Sequence, residues 1–181
     1  ISKFIYQVEI KNKLISVILP VYNEEVIIKD ALLSLLNQKL KSYELEILVI
    51  DGNSDDSTKN IIQEIAENDG RVKYLFNKKR ITPISFNLGI SKSKGEYIAI
   101  FGAHNVYQNN YIQICIDNLE KTGSVGCSGR VITVSKNKDE VSMIILWILR
   151  SKLGVSNSSF RTMKNGYVDS IPYPIFKKKI I

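Results

Sequence analysis

Four short apolar runs, each followed by a segment of helical period, constrain this chain more than any other feature. Residues 14–19 (LISVIL), 46–50 (EILVI), 72–76 (VKYLF) and 96–101 (EYIAIF) are rich in β-branched and aromatic residues. Runs this continuous read as strands buried on both faces, the pattern of a parallel sheet. Pro20 is expected to close the first of them. Between the runs, Ile28, Leu32, Leu35 and Leu36 recur at helical spacing, and Ile61, Ile62 and Ile65 do so after a cap at Asp55 or Asp56. Thr82-Pro83 reads as another helix start, with threonine as cap and proline in the first turn. Residues 109–120 form the next helix. The sum is an α/β fold with a mostly parallel sheet and helices on both faces. A chain of 181 residues is expected to build one domain, 1–181. After Gly123 the pattern loosens: residues 125–134 read as a longer strand, and the tail from Ser151 has no clear period.

Open sheets of this kind bind ligands beyond the carboxyl ends of their strands, so the residues just after each run matter most. They are Pro20, Val21, Tyr22, Asn23 and Glu24; Asp51 to Asp56, including Asn53; Asn77 to Arg80; and Gly102, Ala103, His104 and Asn105. Acids, amides, a basic cluster and the only histidine thus meet along one edge. A carboxylate at Asp51 suits a base N–H or ribose hydroxyls, or else the backbone amides of its own turn. Tyr22 is placed to stack on a base or to fold over the sheet edge. Glu24 and Glu25 open a helix, where the dipole favours acids in any case. Lys78, Lys79 and Arg80 lie where a diphosphate needs cations, although a solvated charge run is the commoner meaning of such a cluster. For His104 the residues alone favour a strand-end imidazole bonded to backbone.

Composition narrows the classes. No GxGxxG follows the first run and no GxxxxGK[ST] occurs, which removes support for dinucleotide oxidoreductases and P-loop proteins. A sugar nucleotidyltransferase needs a Gly-rich loop where this chain has Pro20 to Glu24. Cys115 and Cys127 form no CxxC pair, so a reducing cytosol is the expected compartment. No secretory signal is read at the N-terminus. The net charge of +7 suits an anionic partner, but the lysines lack the aromatic interleaving of a nucleic-acid groove. The apolar run 143–149 (MIILWIL) is too short to span a bilayer. It reads as a core helix first, and as an interfacial helix with Trp147 at headgroup depth second.

Three stretches carry a more specific signal: "ISVILPVYNEEVIIKDALLSLLNQ", "EILVIDGNSDDST" and "NKKRITPISFNLGISKSKGEYIAIFGAHN". In this order and spacing they resemble the family 2 glycosyltransferases of GT-A (Rossmann-like) fold. The later "LGVSNSSFR" and "GYVDSIPYPIFKK" resemble the polysaccharide-building subgroup typified by succinoglycan glucosyltransferase. The resemblance implies a nucleotide-sugar donor, UDP-linked, and transfer to an acceptor hydroxyl with inversion during surface polysaccharide assembly. It implies a saccharide or lipid-linked saccharide acceptor, and a setting in the cytoplasm, peripheral at the inner face of the membrane. Residues 14–122 then form the nucleotide-binding half and 123–181 part of the acceptor side. On the matching motifs, Pro20, Val21, Tyr22 and Glu24 line the nucleoside pocket, Asp51 and Asn53 reach the base side, and Arg80 approaches the nucleotide. Gly102, Ala103 and His104 stand at the family's Asp-x-Asp, which holds a divalent metal, Mn²⁺ or Mg²⁺, against the diphosphate.

Two departures follow. Gly102 replaces the first acid, which leaves His104 as metal ligand through a neutral ring nitrogen and weakens the site. The general base of inverting members lies beyond the segment resembling 166–179, so the chain is expected to be truncated and the catalytic base is unknown; Asp169 matches a strand motif instead. A non-catalytic nucleotide-sugar-binding module is therefore the rival reading.

Overall fold

The computed structural model describes residues 13–134, 139–151, 166–168 and 170–180. Eight of the expected elements form where the periodicity places them. Strand β1 (Lys13–Val21) leads through helix α1 (Ile28–Leu36) to β2 (Tyr43–Asp51), then through α2 (Thr58–Asn68) to β3 (Val72–Phe76). Helix α3 (Thr82–Lys92), strand β4 (Tyr97–Ile100) and helix α4 (Tyr111–Thr122) complete the regular part. Beyond it come β5 (Gly126–Cys127), α5 (Glu140–Arg150), β6 (Ile175–Lys177) and a 3₁₀ turn (Lys178–Ile180).

The strands lie in the order β3-β2-β1-β4-β6-β5. β1 to β4 are parallel, in register Val17↔Ile47, Val17↔Ala99 and Val49↔Tyr74. β6 runs antiparallel to both β4 and β5, making the sheet mixed. Alternation along the strands divides the core. Ile15, Val17 and Leu19 of β1 and Ile47 and Val49 of β2 face α1, α2 and α4, where Leu32, Ile62 and Ile116 are fully buried. Ile18, Leu48, Ile50 and Ile98 face the other way, under Phe86 and Ile90 of α3. Gly89 lets that helix come close, since a β-carbon there would lie 2.5 Å from Ile18 Cγ2. At the amino end of this layer, Ser16 Oγ and the Lys94 amide donate to Glu46 Oε1 at 2.6 and 2.7 Å, and Lys73 Nζ lies 2.6 Å from Glu46 Oε2.

Several local expectations are corrected. β1 continues through Pro20 to Val21, because β4 pairs β1 only as far as Ile18 and the N–H that proline lacks falls on the side already left open. Thr82 is the first residue of α3 and not its cap, which is Ile81; Pro83 does sit in the first turn. The strand expected over 125–134 shrinks to two residues, with Ile132 and Val134 exposed beyond it. The apolar run 143–149 is helical but not core: Met143, Ile144, Ile145 and Trp147 are exposed, and only Ser142, Leu146 and Leu149 are half-buried. The segment 153–161 and Asp169 lie outside the described residues.

Candidate functional site

The four strand-end loops come together, and one of them organises the rest: residues 22–25, just after β1, touch each of the other three. Toward the loop after β2, Asn23 N donates to Ser54 Oγ at 3.0 Å, and its side-chain amide exchanges bonds with Asp55 at 2.7 and 3.0 Å. Glu24 N donates to the buried Thr58 Oγ1 at 2.7 Å, Glu25 N to Asp56 Oδ2 at 3.2 Å, and Ser57 N returns a bond to Glu25 Oε2 at 2.9 Å. The N-cap of α2 is Ser57, so neither expected acid holds that position: Asp56 accepts from Thr58 N at 2.9 Å from just outside the helix, and Asp55 ties the two loops together. Toward the loop after β3, Arg80 Nη1 donates to the Tyr22 hydroxyl at 3.0 Å. Its guanidinium carbon sits 5.0 Å from the Tyr22 ring centroid. Toward the loop after β4, Glu24 Oε1 lies 2.8 Å from His104 Nε2.

Asp51 closes β2 at 1% exposure and faces inward. Its Oδ1 accepts from Ser54 N and Oγ at 3.0 and 2.6 Å, and its Oδ2 from the Tyr74 hydroxyl at 2.8 Å. Burial first, and then the bond to Asp51, push the Tyr74 hydroxyl far above its ordinary range, so it remains a protonated donor. Gly52 next to it is the floor between the platform residues, because a β-carbon there would lie 3.6 Å from Tyr22 Cβ and 3.7 Å from Arg80 Cα. Buried Asn77 holds the 77–81 loop: its amide donates to the Asp51 carbonyl, its Nδ2 to Ser85 Oγ, and its Oδ1 accepts from Lys79 N.

At the end of β4 the turn rests on an aromatic stack. Phe101 and Tyr107 lie face to face with centroids 4.3 Å apart, and the Tyr107 hydroxyl bonds both the N–H and the C=O of Gly102. Ala103 is buried beneath the turn, and His104 projects from it with 73% of its side chain exposed. Tyr173 closes the far side; its Cε1 would lie 2.9 Å from a β-carbon on residue 102. Four non-glycine residues adopt positive φ among those described: Asn23, Asn53, Arg80 and Tyr173. All four belong to this edge, and backbone held in such a costly region clusters where a site has to be shaped.

Of the residues singled out from the sequence, Tyr22, Glu24, Asp51, Asn53, Arg80, Gly102 and His104 stand on this rim, with Pro20, Val21 and Ala103 as its underlying support. Lys78 and Lys79 are exposed beside Arg80. Sequence reasoning missed Tyr74 and Tyr173, and it named Gly52 and Asn77 among the strand-end residues without giving either a role. Among the described residues, no three His, Cys, Asp or Glu side chains group as a metal cage. The nearest donor set is Glu24 with His104, a carboxylate and an imidazole in direct contact at 2.8 Å, of which the carboxylate suits Mn²⁺ and Mg²⁺ and the imidazole suits the softer of the two, Mn²⁺. Burial raises the Glu24 carboxyl, the His104 ring draws it back down, and the nearby Asp56 charge adds to the rise.

A cavity of about 470 Å³ opens at the opposite end of the sheet, lined by Lys13, Gly95, Glu96, Tyr97, Glu120 and Lys177 among others. Two of its cations are paired, Lys13 with Glu96 at 3.5 Å and Lys177 with Glu120 at 2.9 Å, while Lys178 donates to the Ser93 carbonyl at 2.7 Å. It shares no residue with the carboxyl edge, where α/β sheets place their ligands.

The same fold recurs in known proteins. A mannosyltransferase from Pyrobaculum calidifontis, PcManGT, solved with GDP-Man and Mn²⁺, superposes with a TM-score of 0.58 at 21% identity, over 64% of this chain and 35% of its own. S. aureus TarS 1-349 gives 0.59 at 19% identity over 91% and 47%, and has also been solved with UDP and with UDP-GlcNAc. Both show the GT-A fold. By sequence, the chain is 30% identical over 175 residues to the dolichyl N-acetyl-α-D-glucosaminyl phosphate 3-β-D-2,3-diacetamido-2,3-dideoxy-β-D-glucuronosyltransferase of Methanococcus voltae. That match takes in 92% of this chain and 54% of the relative, so the chain spans about half the relative's length. The family model described as "Glycosyl transferase family 2" matches residues 16–181, nearly the whole chain including every loop of the carboxyl edge, and the chain belongs to that family.

Proposed function

We propose that this chain binds a nucleotide sugar, UDP-linked, across the carboxyl edge of its sheet, and that the whole protein passes the glycosyl group to an acceptor hydroxyl with inversion. The observation that carries this reading is the single loop 22–25 joined to all three other strand ends, which builds one continuous rim from residues far apart in sequence. On it, the Tyr22 ring offers a face for a base, with Arg80 locked against its other side. Asp51 does not reach out itself; it fixes the turn that presents Asn53 to the base or ribose. Arg80 with Lys78 and Lys79 supplies positive charge for the diphosphate, and His104 faces the same region. His104 would hold a divalent cation, which when bound would supply positive charge toward the leaving diphosphate.

Residues 14–122 then form the donor half and 123–181 part of the acceptor side, in a single domain. The acceptor is a saccharide on a lipid carrier during surface polysaccharide assembly, which fits the lipid-phosphate substrate in the relative's name and the exposed apolar helix α5. On this reading the protein works in the cytoplasm at the inner membrane face. The second reading, a binding module without turnover, is favoured by Gly102 at the position of the first acid.

Calorimetry with UDP, GDP and a panel of their sugars, followed by assay of nucleotide release in the presence of Mn²⁺ and a lipid-linked acceptor, tests both. Binding of UDP-sugars with release of UDP supports the transferase; binding without release selects the module; no binding by any member of the panel removes the nucleotide-sugar reading.

A further inference from the structure

The turn after β4 lacks a carboxylate at Gly102, and the space for one is taken. The edge of the Tyr173 ring would lie 2.9 Å from a β-carbon at residue 102. Pro172 and Pro174 flank that tyrosine, its φ is 49°, and Pro174 O accepts from Ile100 N at 2.9 Å. An acid at 102 therefore requires the Tyr173 ring to shift.

A carboxylate arrives from another direction. Glu24 is pinned through its main chain, with its N–H on Thr58 Oγ1 and its carbonyl accepting from Ile27 N and Ile28 N at the mouth of α1. Its side chain is 14% exposed and ends against His104, which is 73% exposed. The Oε1–Nε2 separation is 2.8 Å. The two atoms are hydrogen-bonded to each other here, and two donors bound at about 2.1 Å and at right angles to one cation stand about 3 Å apart, so a cation would take this pair by displacing the shared proton and turning the His104 ring toward itself. Two protein ligands suffice when a diphosphate and water fill the other positions.

We propose that Glu24 is the carboxylate ligand of this site: Glu24 Oε1 and His104 Nε2 clasp one divalent cation, Mn²⁺ in preference to Mg²⁺, that also takes diphosphate oxygens, in place of the acid absent at residue 102. The proposal rests on the nucleotide-sugar reading above. It ties metal binding to the loop that organises the rim, so a cation on Glu24 also fastens the loops after β1 and β4 together.

The test is Mn²⁺ binding by electron paramagnetic resonance and UDP affinity by calorimetry, with and without Mn²⁺, on the full chain. The wild type should bind UDP more tightly with Mn²⁺. E24Q and H104A should each lose at least roughly tenfold of that Mn²⁺-dependent gain, and the double variant should lose no more than either alone. E24D should keep part of it, and thermal unfolding of each variant separates loss of fold from loss of ligand. G102D should not add metal affinity, whereas G102D/Y173A should. E24Q retaining the full gain while H104A loses it overturns the role of Glu24, and UDP binding indifferent to Mn²⁺ overturns the clasp. Failure of the wild type to bind UDP under either condition sinks the nucleotide-sugar reading instead.

Discussion

Arg80 and Tyr22, 58 positions apart, are locked together twice, by a 3.0 Å bond from Nη1 to the hydroxyl and by the guanidinium lying 5.0 Å from the ring centroid. Both side chains are exposed, so the contact adds little to folding stability. Its effect is to hold the ring at a fixed angle with one face free. Tyr22→Ala should weaken UDP binding by about tenfold, within the 1–3 kcal/mol that base–aromatic stacking contributes. Tyr22→Phe keeps the face but loses the anchor and should fall between. Calorimetry decides it; equal affinity in all three proteins would take the base off this ring.

Asp51→Ala is expected to do more than empty a contact. Three donors, Ser54 N, Ser54 Oγ and the Tyr74 hydroxyl, converge on a carboxylate that is almost fully buried. Leaving them unpaired should cost about 1–3 kcal/mol of stability in denaturant unfolding, and freeing the turn at Asn53 should remove nucleotide binding. Tyr74→Phe deletes one donor only; it should cost about 1 kcal/mol and leave binding nearly intact. Binding that survives Asp51→Ala would show that the turn holds its shape without the acid.

The strands and helices of the first two-thirds of the chain were legible because burial on both faces leaves an unbroken apolar run and burial on one face leaves a helical period. That β1, β2, β3 and β4 present their carboxyl ends together followed from parallel pairing alone. What lay beyond reading were partnerships set by tertiary geometry. Nothing local joins Glu24 to His104, Asn23 to Asp55 or Tyr173 to Gly102, and a helix cap explains Asp55 well until the fold shows where its oxygen points. The stretch after Gly123 misled for a related reason. A β-branched sequence such as VITV looks like a strand, but a strand forms only where a partner is within reach, and β6 offers β5 just two residues.

Glu46 sets an acid limit on the fold. Burial works to raise its carboxyl, but hydrogen bonds from Lys73, Ser16 and the Lys94 amide, with the Lys73 charge, outweigh burial and hold it below its ordinary value. A carboxyl depressed in the folded state contributes stability that is fully present above roughly pH 5 and is lost as pH falls through the folded value. The wild type should therefore lose its advantage over Glu46→Gln as pH drops from about 6 to 3, with the gap in unfolding free energy closing from about 1–3 kcal/mol toward zero. A gap that stays constant over this range would mean that the carboxylate does not carry the network.

Helix α5 carries its apolar residues on the outside. Val141, Met143, Ile144, Ile145 and Ile148 are exposed, and Trp147 is 66% exposed. At 1.5 Å per residue, its 11 residues run about 16 Å, half the hydrocarbon thickness of a bilayer. Among the described residues no helix is long and apolar enough to cross a membrane. On the proposed membrane setting, an element of this size and polarity is expected to lie flat in the interface with its indole at headgroup depth, drawn to anionic lipid by the net charge of +7. Sedimentation with vesicles containing phosphatidylglycerol should carry the protein down, neutral vesicles should carry less, and Trp147→Ser should lower the bound fraction severalfold without altering UDP affinity. A partition unchanged by Trp147→Ser, or the same on neutral and anionic vesicles, would mean that α5 meets something other than a charged membrane surface.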